Sequence, residues 1–246
     1  MNIQSAVILA GGLGTRLRSA VPDLPKPMAP VDGRPFLEYL LDFWIAQGIG
    51  HFILAVGYRH ELISSHLGRS YRGARLDYVV EQTPLGTGGG VLLALQRLPA
   101  DQRFLLLNGD TYFSVDGERL EAFARSHDSD WCFSLFRTGE TSRYLGMGVA
   151  ADGRITELKS SQDGDECLAN GGVYCIHPRA FAGLTLADGR PLAAGASASL
   201  ENDIFPAAFD AGQRMTGVEF GGSFIDIGIP ADYHRAGAVL NAKDKP

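Results

Sequence analysis

Short apolar runs alternate with helically periodic segments through the first half of the chain. Runs bounded by glycine, proline and polar residues are typical of buried strands, and they occur at Ala6–Ala10, Phe52–Val56, Leu76–Val80 and Phe104–Leu107. Between them, apolar residues spaced i, i+3, i+4 predict helices at Phe36–Gln47, around Leu62–Leu67 and at Val91–Leu98. Strands that alternate with helices in this way predict a parallel sheet with helices on both faces.

The second half of the chain has a different pattern. From Trp131 to Ile176 the apolar runs are separated by turn sequences, which predicts a mixed or antiparallel part of the sheet. The remaining predicted elements are a helix at about Glu201–Phe209, strands at Gly217–Phe220 and Ser223–Ile227, and a final helix at Ala231–Asn241. With 246 residues and a hydrophobic content of 45%, the chain can bury one large core, and we predict a single domain over residues 1–246.

Composition narrows the possible partners. The formal net charge is −6 and the basic residues are scattered, so the basic face that binds nucleic acid is not predicted. Cys132, Cys167 and Cys175 show no Cys-x-x-Cys spacing, which favours reduced thiols over disulfides or a zinc site. The N-terminus has no basic targeting segment, and no apolar run reaches the ~18 residues of a membrane span. We therefore expect a cytoplasmic protein with neither nucleic-acid nor membrane partners.

A glycine-rich loop with fixed cations follows the first predicted strand. The loop reads GGLGTR at 11–16, and Lys26 follows between Pro25 and Pro27. Glycines allow backbone N–H groups to close on phosphate oxygens, while Arg and Lys offset the negative charge. Leu17 stands where a dinucleotide-binding loop needs its third glycine, and the Gly-Lys-Ser/Thr of a Walker A loop is missing. The pattern therefore predicts a phosphate-binding loop of another kind.

Two aspartates occupy positions suited to a metal ion. Asp110 ends an apolar strand directly after Asn108 and Gly109, at the strand edge where α/β sheets bind their ligands. A carboxylate there suits Mg²⁺, which prefers hard oxygen ligands, although aspartate is equally common in strand-end turns. Asp226 interrupts an apolar strand, where an unpaired carboxylate is costly to bury. The position of Asp226 therefore favours metal ligation.

Together these motifs resemble one known family. GGLGTRL at 11–17, LPKPM at 24–28 and PLGTGG at 84–89 are similar to segments of the sugar-nucleotide pyrophosphorylases, which join an NTP to a sugar 1-phosphate and release pyrophosphate. The resemblance extends over nearly the whole chain. It implies an α/β fold with three layers, Rossmann-like and GT-A-like, around a mixed, mostly parallel central sheet. It also implies a nucleotide-binding half at 1–112 and a sugar-phosphate-binding half at 113–246.

The resemblance assigns roles to the charged residues. Asp110 and Asp226 would hold the catalytic Mg²⁺, Arg16 would contact the β- and γ-phosphates, and Lys26 would bridge the α-phosphate and the incoming sugar phosphate. Direct in-line displacement, without a covalent enzyme intermediate, is expected. The nucleotide would be bound by Ala10, Gly11, Gly12, Leu13, Gly14, Thr15, Glu81, Pro84, Gly86, Thr87, Asn108 and Gly109.

Glu81 is the residue expected to read the base. Guanine presents two donors, N1–H and N2–H₂, and a carboxylate is the acceptor-only group that satisfies both. Uracil or thymine is better matched by an amide, which the neighbouring Gln82 could provide. The sequence thus favours GTP and leaves a pyrimidine nucleotide open.

The sugar side resembles the family less closely. The resemblance places sugar-phosphate binding at Tyr144, Gly146, Glu157, Lys159, Asn170 and Gly171. The family usually has Glu-Lys in the strand before the Asn-Gly segment, with the lysine meeting the sugar phosphate. Here Ser160 and Ser161 take those two places after Leu158. We therefore expect the phosphate contact at Lys159 or elsewhere.

Within the family, the chain resembles the short guanylyltransferases that make GDP-D-glycero-α-D-manno-heptose, enzymes that supply nucleotide sugars for capsule or surface polysaccharide. This implies GTP and a heptose 1-phosphate as substrates. Mannose 1-phosphate remains an alternative sugar substrate. A uridylyltransferase that acts on an N-acetylated sugar 1-phosphate remains an alternative activity. A nucleotide-sugar-binding regulatory protein without catalysis is the alternative from another class.

Overall fold

A computed structural model describes residues 1–12, 14, 17, 20–140, 143–159 and 167–241. Its helices are α1 Phe36–Ala46, α2 His60–Leu67, α3 Gly86–Leu95, α4 Gly117–Ser126, α5 Phe205–Asp210 and α6 Pro230–Asn241. Its strands are β1 Ser5–Ala10, β2 Pro30–Val31, β3 Arg34–Pro35, β4 His51–Val56, β5 Ser70–Tyr71, β6 Ala74–Val80, β7 Phe104–Asn108, β8 Thr111–Phe113, β9 Trp131–Thr138, β10 Gly146–Val149, β11 Ile155–Lys159, β12 Cys167–Ile176, β13 Met215–Glu219 and β14 Phe224–Asp226. Shorter helical turns lie at Lys26–Met28, Pro178–Phe181 and Leu200–Ile204.

One large sheet lies at the centre of the described residues. Ten strands pair in the order β11-β10-β12-β7-β1-β4-β6-β5, with β9 on the other side of β12 and β13 beyond it. The strands β7, β1, β4 and β6 are parallel, as the first half of the sequence predicts. Strand β10 pairs antiparallel with both β11 and β12, as the second half predicts. The sheet is therefore mixed and mostly parallel, which confirms the predicted fold class.

A bulge in β12 opens the sheet. One edge of β12 pairs first with β10, at Leu168 and Ala169, and then with β7, from Val173 onwards. Its register against β9 shifts between Asn170 and Tyr174. Gly172 has φ +74° there, a backbone conformation that costs an L side chain strain energy. The bulge thus lets two different strands share one edge of β12, and a cavity lies where they diverge.

The apolar core lies on both faces of the sheet, which makes three layers. On one face α1, α2, α4 and α6 cover a cluster that includes Trp44 and Phe52. On the other face α3 and α5 cover a cluster that includes Trp131 and Phe205. Complete burial of such a side chain contributes roughly 1.5–3 kcal/mol relative to exposure. Among the described residues, no helix combines the length and apolar character needed to cross a bilayer.

Two helices differ from the sequence predictions. The helix predicted at Val91–Leu98 runs instead from Gly86 to Leu95. Glycine lowers helix propensity, but here it permits close contact, since a Cβ on Gly89 would lie 2.7 Å from the Ala196 carbonyl oxygen. Helix α4 was not predicted at all. Its sequence is mostly charged. Asp116 is its N-cap residue, and the Asp116 side chain accepts a hydrogen bond from the Arg119 N–H at 2.9 Å.

Candidate active site

A cavity of about 420 Å³ lies at the carboxyl ends of β1 and β7, beside the β12 bulge. Most of the predicted site residues line it. They are Ala10, Gly11, Gly12, Lys26, Glu81, Pro84, Gly86, Thr87, Asn108, Asp110, Tyr144, Asn170, Gly171 and Asp226. Residues that come from distant parts of the sequence are therefore brought to one place by the sheet.

Other predicted residues lie next to this lining. A Cβ on Gly14, whose φ is +59°, would lie 3.2 Å from the Lys26 Cβ. Gly109 donates its N–H to the Leu9 carbonyl oxygen at 2.9 Å, which fixes the end of β7 against β1. Gly146 begins β10, and Glu157 is an exposed residue of β11. The predicted roles of Leu13, Thr15, Arg16 and the Lys159 side chain fall outside the described part of the protein.

Asp110 and Asp226 are neighbours because two short strands pair. Asp226 in β14 lies opposite Thr111 in β8, and the Ile227 N–H donates to the Asp110 carbonyl oxygen at 2.9 Å. The Lys26 Nζ donates to Asp110 Oδ2 and lies 3.9 Å from Asp226 Oδ1. One ammonium group therefore stands between the carboxylate that follows β7 and the carboxylate at the end of β14.

Local backbone structure places the Lys26 ammonium group. The helical turn Lys26–Met28 follows Pro25, whose carbonyl oxygen accepts the Met28 N–H at 2.8 Å. Proline on each side fixes φ, so the lysine stem leaves the turn in a restricted direction. The Lys26 side chain is only 11% exposed. The ammonium group is thus directed into the cavity rather than into bulk water.

The two carboxylates repel each other inside a poorly solvated space. Burial raises the pKa of the Asp226 carboxyl, and the negative charge of Asp110 raises it further. Lys26, the Gly228 N–H and Arg143 oppose this rise. Carboxylate oxygens are the donors that Mg²⁺ prefers, and a divalent cation between them would relieve their repulsion. No group of three or more His, Cys, Asp or Glu residues suited to a metal occurs in the described ranges.

Two charged residues of this site, Arg143 and Asp232, were not among the predicted site residues. Arg143 Nη2 donates to the Asp226 carbonyl oxygen at 3.1 Å and to Asp226 Oδ2 at 3.2 Å, while Nη1 contacts Asp232 Oδ2. Asp232 lies in the first turn of α6 and is 5% exposed. From the sequence alone, an aspartate in the first turn of a helix is explained by its favourable interaction with the helix dipole. Only the packing of α6 shows that it is an ion-pair partner.

Glu81 lines the cavity directly after the last residue of β6. Its Oε2 accepts the Leu85 N–H at 3.0 Å, and its Oε1 would lie 2.7 Å from a Cβ on Gly11. Burial raises the pKa of the Glu81 carboxyl, while the Leu85 N–H opposes that rise. The neighbouring Gln82 is exposed and is not part of the cavity lining.

The PLGTGG segment is bound to a distant stretch of backbone. Leu85 accepts the Ala198 N–H at 2.9 Å, and the Gly88 N–H donates to the Ala198 carbonyl oxygen at 2.8 Å. Thr87 Oγ1 accepts the Leu200 N–H at 2.8 Å. The next residue, Glu201, lines the cavity and was also missed by sequence reasoning. Burial raises the pKa of its carboxyl, with a further contribution from Asp110 and Asp226.

The opposite wall of the cavity is aromatic and amide-bearing. The rings of Phe136 and Phe224 stack with centroids 3.9 Å apart, and Tyr144 packs edge-on against both. Asn170 is held in place because its Nδ2 donates to the Tyr174 hydroxyl at 2.8 Å and its Oδ1 accepts the Gly172 N–H at 3.1 Å. This wall therefore combines an apolar surface with a fixed polar group.

Comparison with known proteins agrees with this geometry. The nucleotidyl transferase family profile matches residues 5–243. The chain is 38% identical over 231 residues to D-glycero-alpha-D-manno-heptose 1-phosphate guanylyltransferase of Aneurinibacillus thermoaerophilus, covering 94% of this chain and 96% of that protein. It is 33% identical over 238 residues to mannose-1-phosphate guanylyltransferase of Mycobacterium tuberculosis, covering 96% of this chain and 64% of that protein. The crystal structure of HddC from Yersinia pseudotuberculosis complexed with GMP-PN has a TM-score of 0.79 and 29% identity, covering 96% of this chain and 99% of HddC. By its sequence and its fold, the chain belongs to the nucleotidyl transferase family.

Proposed function

We propose that the protein transfers a guanylyl group from GTP to D-glycero-α-D-manno-heptose 1-phosphate. A phosphate oxygen of the sugar 1-phosphate attacks the α-phosphorus, the bond from the α-phosphorus to the bridging oxygen of the β-phosphate breaks, and pyrophosphate leaves with GDP-heptose as product. The observation that carries this proposal is the convergence of Lys26, Asp110 and Asp226 in one cavity that also contains Glu81. The heptose assignment is supported by the 38% identity to the Aneurinibacillus protein.

A divalent cation, Mg²⁺, is part of the proposal. The paired carboxylates of Asp110 and Asp226 fit it, because they are hard oxygen donors and because burial, followed by the charge of Asp110, raises the pKa of Asp226. When bound, Mg²⁺ would screen the charge of the reacting phosphates. Lys26 would then bind the α-phosphate and the phosphate of the incoming sugar, orienting both in line. Arg16 and the loop residues Leu13 and Thr15 would hold the rest of the triphosphate.

Glu81 supports the choice of guanine. Its Oε2 already accepts the Leu85 N–H at 3.0 Å, and this bond holds the carboxylate plane in one orientation. A carboxylate is acceptor-only, so it matches the N1–H and N2–H₂ donors of guanine and offers no donor to uracil O2 or O4. Because Gln82 is exposed outside the cavity lining, it does not offer the amide that a pyrimidine would need.

The sugar would lie against the wall formed by Tyr144, Phe224 and Asn170. Aromatic faces pack against the C–H groups of a sugar, while Asn170 and Glu201 supply polar groups for its hydroxyls. We accordingly propose that residues 1–112 bind the nucleotide and that residues 113–246 bind the sugar phosphate. Gly146, Glu157 and Lys159 belong to that second half.

The free thiols of Cys132, Cys167 and Cys175 support a reducing, cytoplasmic setting.

Mannose 1-phosphate is the second candidate sugar, favoured by the 33% identity to the Mycobacterium protein. A matrix of the four common NTPs against heptose, mannose, glucose and N-acetylglucosamine 1-phosphates tests the proposal, with pyrophosphate release as the readout. We expect the highest kcat/KM with GTP and heptose 1-phosphate. Preference for UTP with an N-acetylated sugar would replace the proposed chemistry, and binding without pyrophosphate release would indicate a regulatory protein.

A further inference from the structure

The Lys26 ammonium group binds a carboxylate oxygen that a metal ion would also use. It donates to Asp110 Oδ2 and lies 3.9 Å from Asp226 Oδ1. The other oxygen of Asp110, Oδ1, accepts a hydrogen bond from the Thr111 hydroxyl at 3.3 Å. No other cationic side chain in the described ranges forms an ion pair with Asp110. The charge of the Asp110 carboxylate is therefore offset by Lys26.

The Asp226 carboxylate is oriented by groups other than Lys26. Its Oδ1 accepts the Gly228 N–H at 2.6 Å, and its Oδ2 accepts from Arg143 Nη2 at 3.2 Å. The Arg143 guanidinium is itself anchored, since Nη1 contacts Asp232. None of these bonds involves the lysine. Asp226 can therefore keep its orientation when the ammonium group moves.

The Lys26 ammonium group can move while its backbone stays in place. The backbone belongs to a helical turn that follows Pro25, whereas the four-carbon stem is flexible and the ammonium has three rotatable donors. Two glycines leave space beside this stem. A Cβ on Gly14 would lie 3.2 Å from the Lys26 Cβ, and a Cβ on Gly228 would lie 3.0 Å from Nζ. The side chain is thus anchored at its base and free of bulky neighbours at these two points.

Charge balance prevents an ammonium group and a divalent cation from binding both carboxylates together. With Lys26 in place, Asp110 and Asp226 retain one unit of negative charge. A divalent cation alone would neutralise both carboxylates, but beside the ammonium it would leave an excess positive charge. The Lys26 side chain is only 11% exposed, so water screens this repulsion poorly. The two cations therefore compete for the same carboxylate oxygens.

We propose that the Lys26 ammonium acts as an exchangeable counter-ion, which excludes a divalent cation from Asp110 and Asp226 until nucleotide phosphates draw the ammonium away. This inference rests on the proposed function for the identity of the nucleotide and the metal. It makes metal binding depend on the nucleotide, and by linkage nucleotide binding depends equally on the metal. Removal of the ammonium must then strengthen metal binding to the free protein, although it impairs transfer.

Manganese binding without nucleotide tests the proposal. The electron paramagnetic resonance signal of free Mn²⁺ measures its affinity for the wild-type protein and for K26M, in which methionine supplies neither a charge nor an oxygen ligand. We expect K26M to bind Mn²⁺ about tenfold or more tightly than the wild type does, since the repulsion between two cations is removed. D110N in the K26M background should lose that gain, which locates the bound Mn²⁺ at this site.

R137M is the matched control for the change in net charge. Arg137 forms an exposed ion pair with Glu219 outside the cavity lining, so R137M should bind Mn²⁺ with wild-type affinity. A second variant, K26A, tests the same space by chemical rescue. Propylammonium can replace the missing ammonium group in K26A, and we expect it to weaken Mn²⁺ binding towards the wild-type value.

Thermal unfolding gives an independent measurement. A ligand that binds only the folded state raises Tm, so Mg²⁺ without nucleotide should raise the Tm of K26M more than that of the wild type. Mn²⁺ affinity in K26M equal to or below the wild-type value would overturn the proposed exchange. If the wild-type protein releases no pyrophosphate with any NTP and sugar 1-phosphate, the proposed function fails, and the Mn²⁺ titrations still decide whether Lys26 competes with the metal.

Discussion

The Lys26 ammonium group donates a hydrogen bond to Asp110 Oδ2, although the two residues are 84 positions apart in the chain. The bond joins a proline-framed turn to the end of β7, and Asp226 Oδ1 lies 3.9 Å from the same nitrogen. One ammonium between two carboxylates leaves one unit of negative charge, which a divalent cation would offset. The same three groups are the ones that the proposed reaction requires.

Replacing Lys26 should therefore impair catalysis more than nucleotide binding. We expect K26Q to lower kcat about 100- to 1000-fold, since a fixed cation at the reacting phosphates acts mainly on the transition state. KM for GTP should change little. Single-turnover and steady-state pyrophosphate release measure the effect. A large rise in KM for GTP with kcat preserved would instead make Lys26 a ground-state binding residue.

The two aspartates should be individually essential. We expect D110N and D226N each to lower kcat/KM at least about 100-fold, and to raise the Mg²⁺ concentration needed for half-maximal rate, because an amide is a weaker cation ligand. D116N makes the same chemical change at the exposed cap of α4, where asparagine is an equally good cap. Wild-type Mg²⁺ dependence in D110N would contradict the metal assignment.

Base preference should follow residue 81. In E81Q the amide supplies one donor and one acceptor, so it no longer satisfies both guanine donors, and it matches uracil better. We expect the ratio of kcat/KM for GTP to that for UTP to fall by about tenfold or more. Q82E serves as the control, because Gln82 is exposed. An unchanged ratio in E81Q would mean that another group reads the base.

Stability should depend on pH through Glu121, far from the cavity. Burial raises the pKa of its carboxyl, but bonds from Arg125 and from the N–H groups of Asn2 and Ile3 outweigh burial and leave it lowered. A group whose pKa is lower in the folded state stabilises above its unfolded pKa, and this stabilisation is lost as pH falls through the folded value. The carboxylate therefore supports the fold at neutral pH and not in acid.

We expect E121Q to lower the free energy of unfolding by about 1–3 kcal/mol at neutral pH, and the difference from wild type to shrink below the folded pKa. Urea unfolding over a pH series measures it. E118Q, an exposed change on the same helix α4, should cost little at any pH. If the loss of stability in E121Q stayed constant down to acidic pH, the shape of the side chain, and not its charge, would be the cause.

The β12 bulge should tolerate no side chain at position 172. A Cβ on Gly172 would adopt φ +74° and lie 2.8 Å from Asn108 Nδ2. We expect G172A to lower the free energy of unfolding by about 2–4 kcal/mol, the sum of backbone strain and overpacking. At Gly183, φ is +68° but nothing lies within 4 Å of a Cβ. G183A should therefore lower the free energy of unfolding only by the backbone strain, about 1–2 kcal/mol. Equal losses of stability in G172A and G183A would contradict the proposed clash with Asn108.

Sequence patterns predicted the parallel core strands well because those strands are buried on both faces and read as continuous apolar runs. Helix α1 was equally clear, since its apolar residues repeat at helical spacing and are buried. Helix α4 was missed because only Leu120 and Ala124 mark its buried face among charged residues.

The candidate-site residues that were predicted from the sequence are those that lie within a short, recognisable motif. The glycine loop, the proline-framed Lys26 and Asp110 each stand next to a recognisable strand end. Asp232 and Glu201 were missed, and Arg143 was given no role, because their roles depend on partners elsewhere in the chain, such as Asp226 in a late strand. Ion pairs between distant residues leave no periodic pattern in the sequence.

The backbone bonds between Leu85 and Ala198 have a consequence for engineering this protein. They join the loop proposed to read the base to the segment that carries Glu201, so under the proposed function the two substrate specificities are not separable modules. A loop grafted at 81–89 alone would break these backbone bonds, and shift the segment that carries Glu201, if its backbone followed a different path. An exchange of nucleotide specificity that preserves the sugar pocket therefore requires residues 196–201 to be transplanted together with the loop.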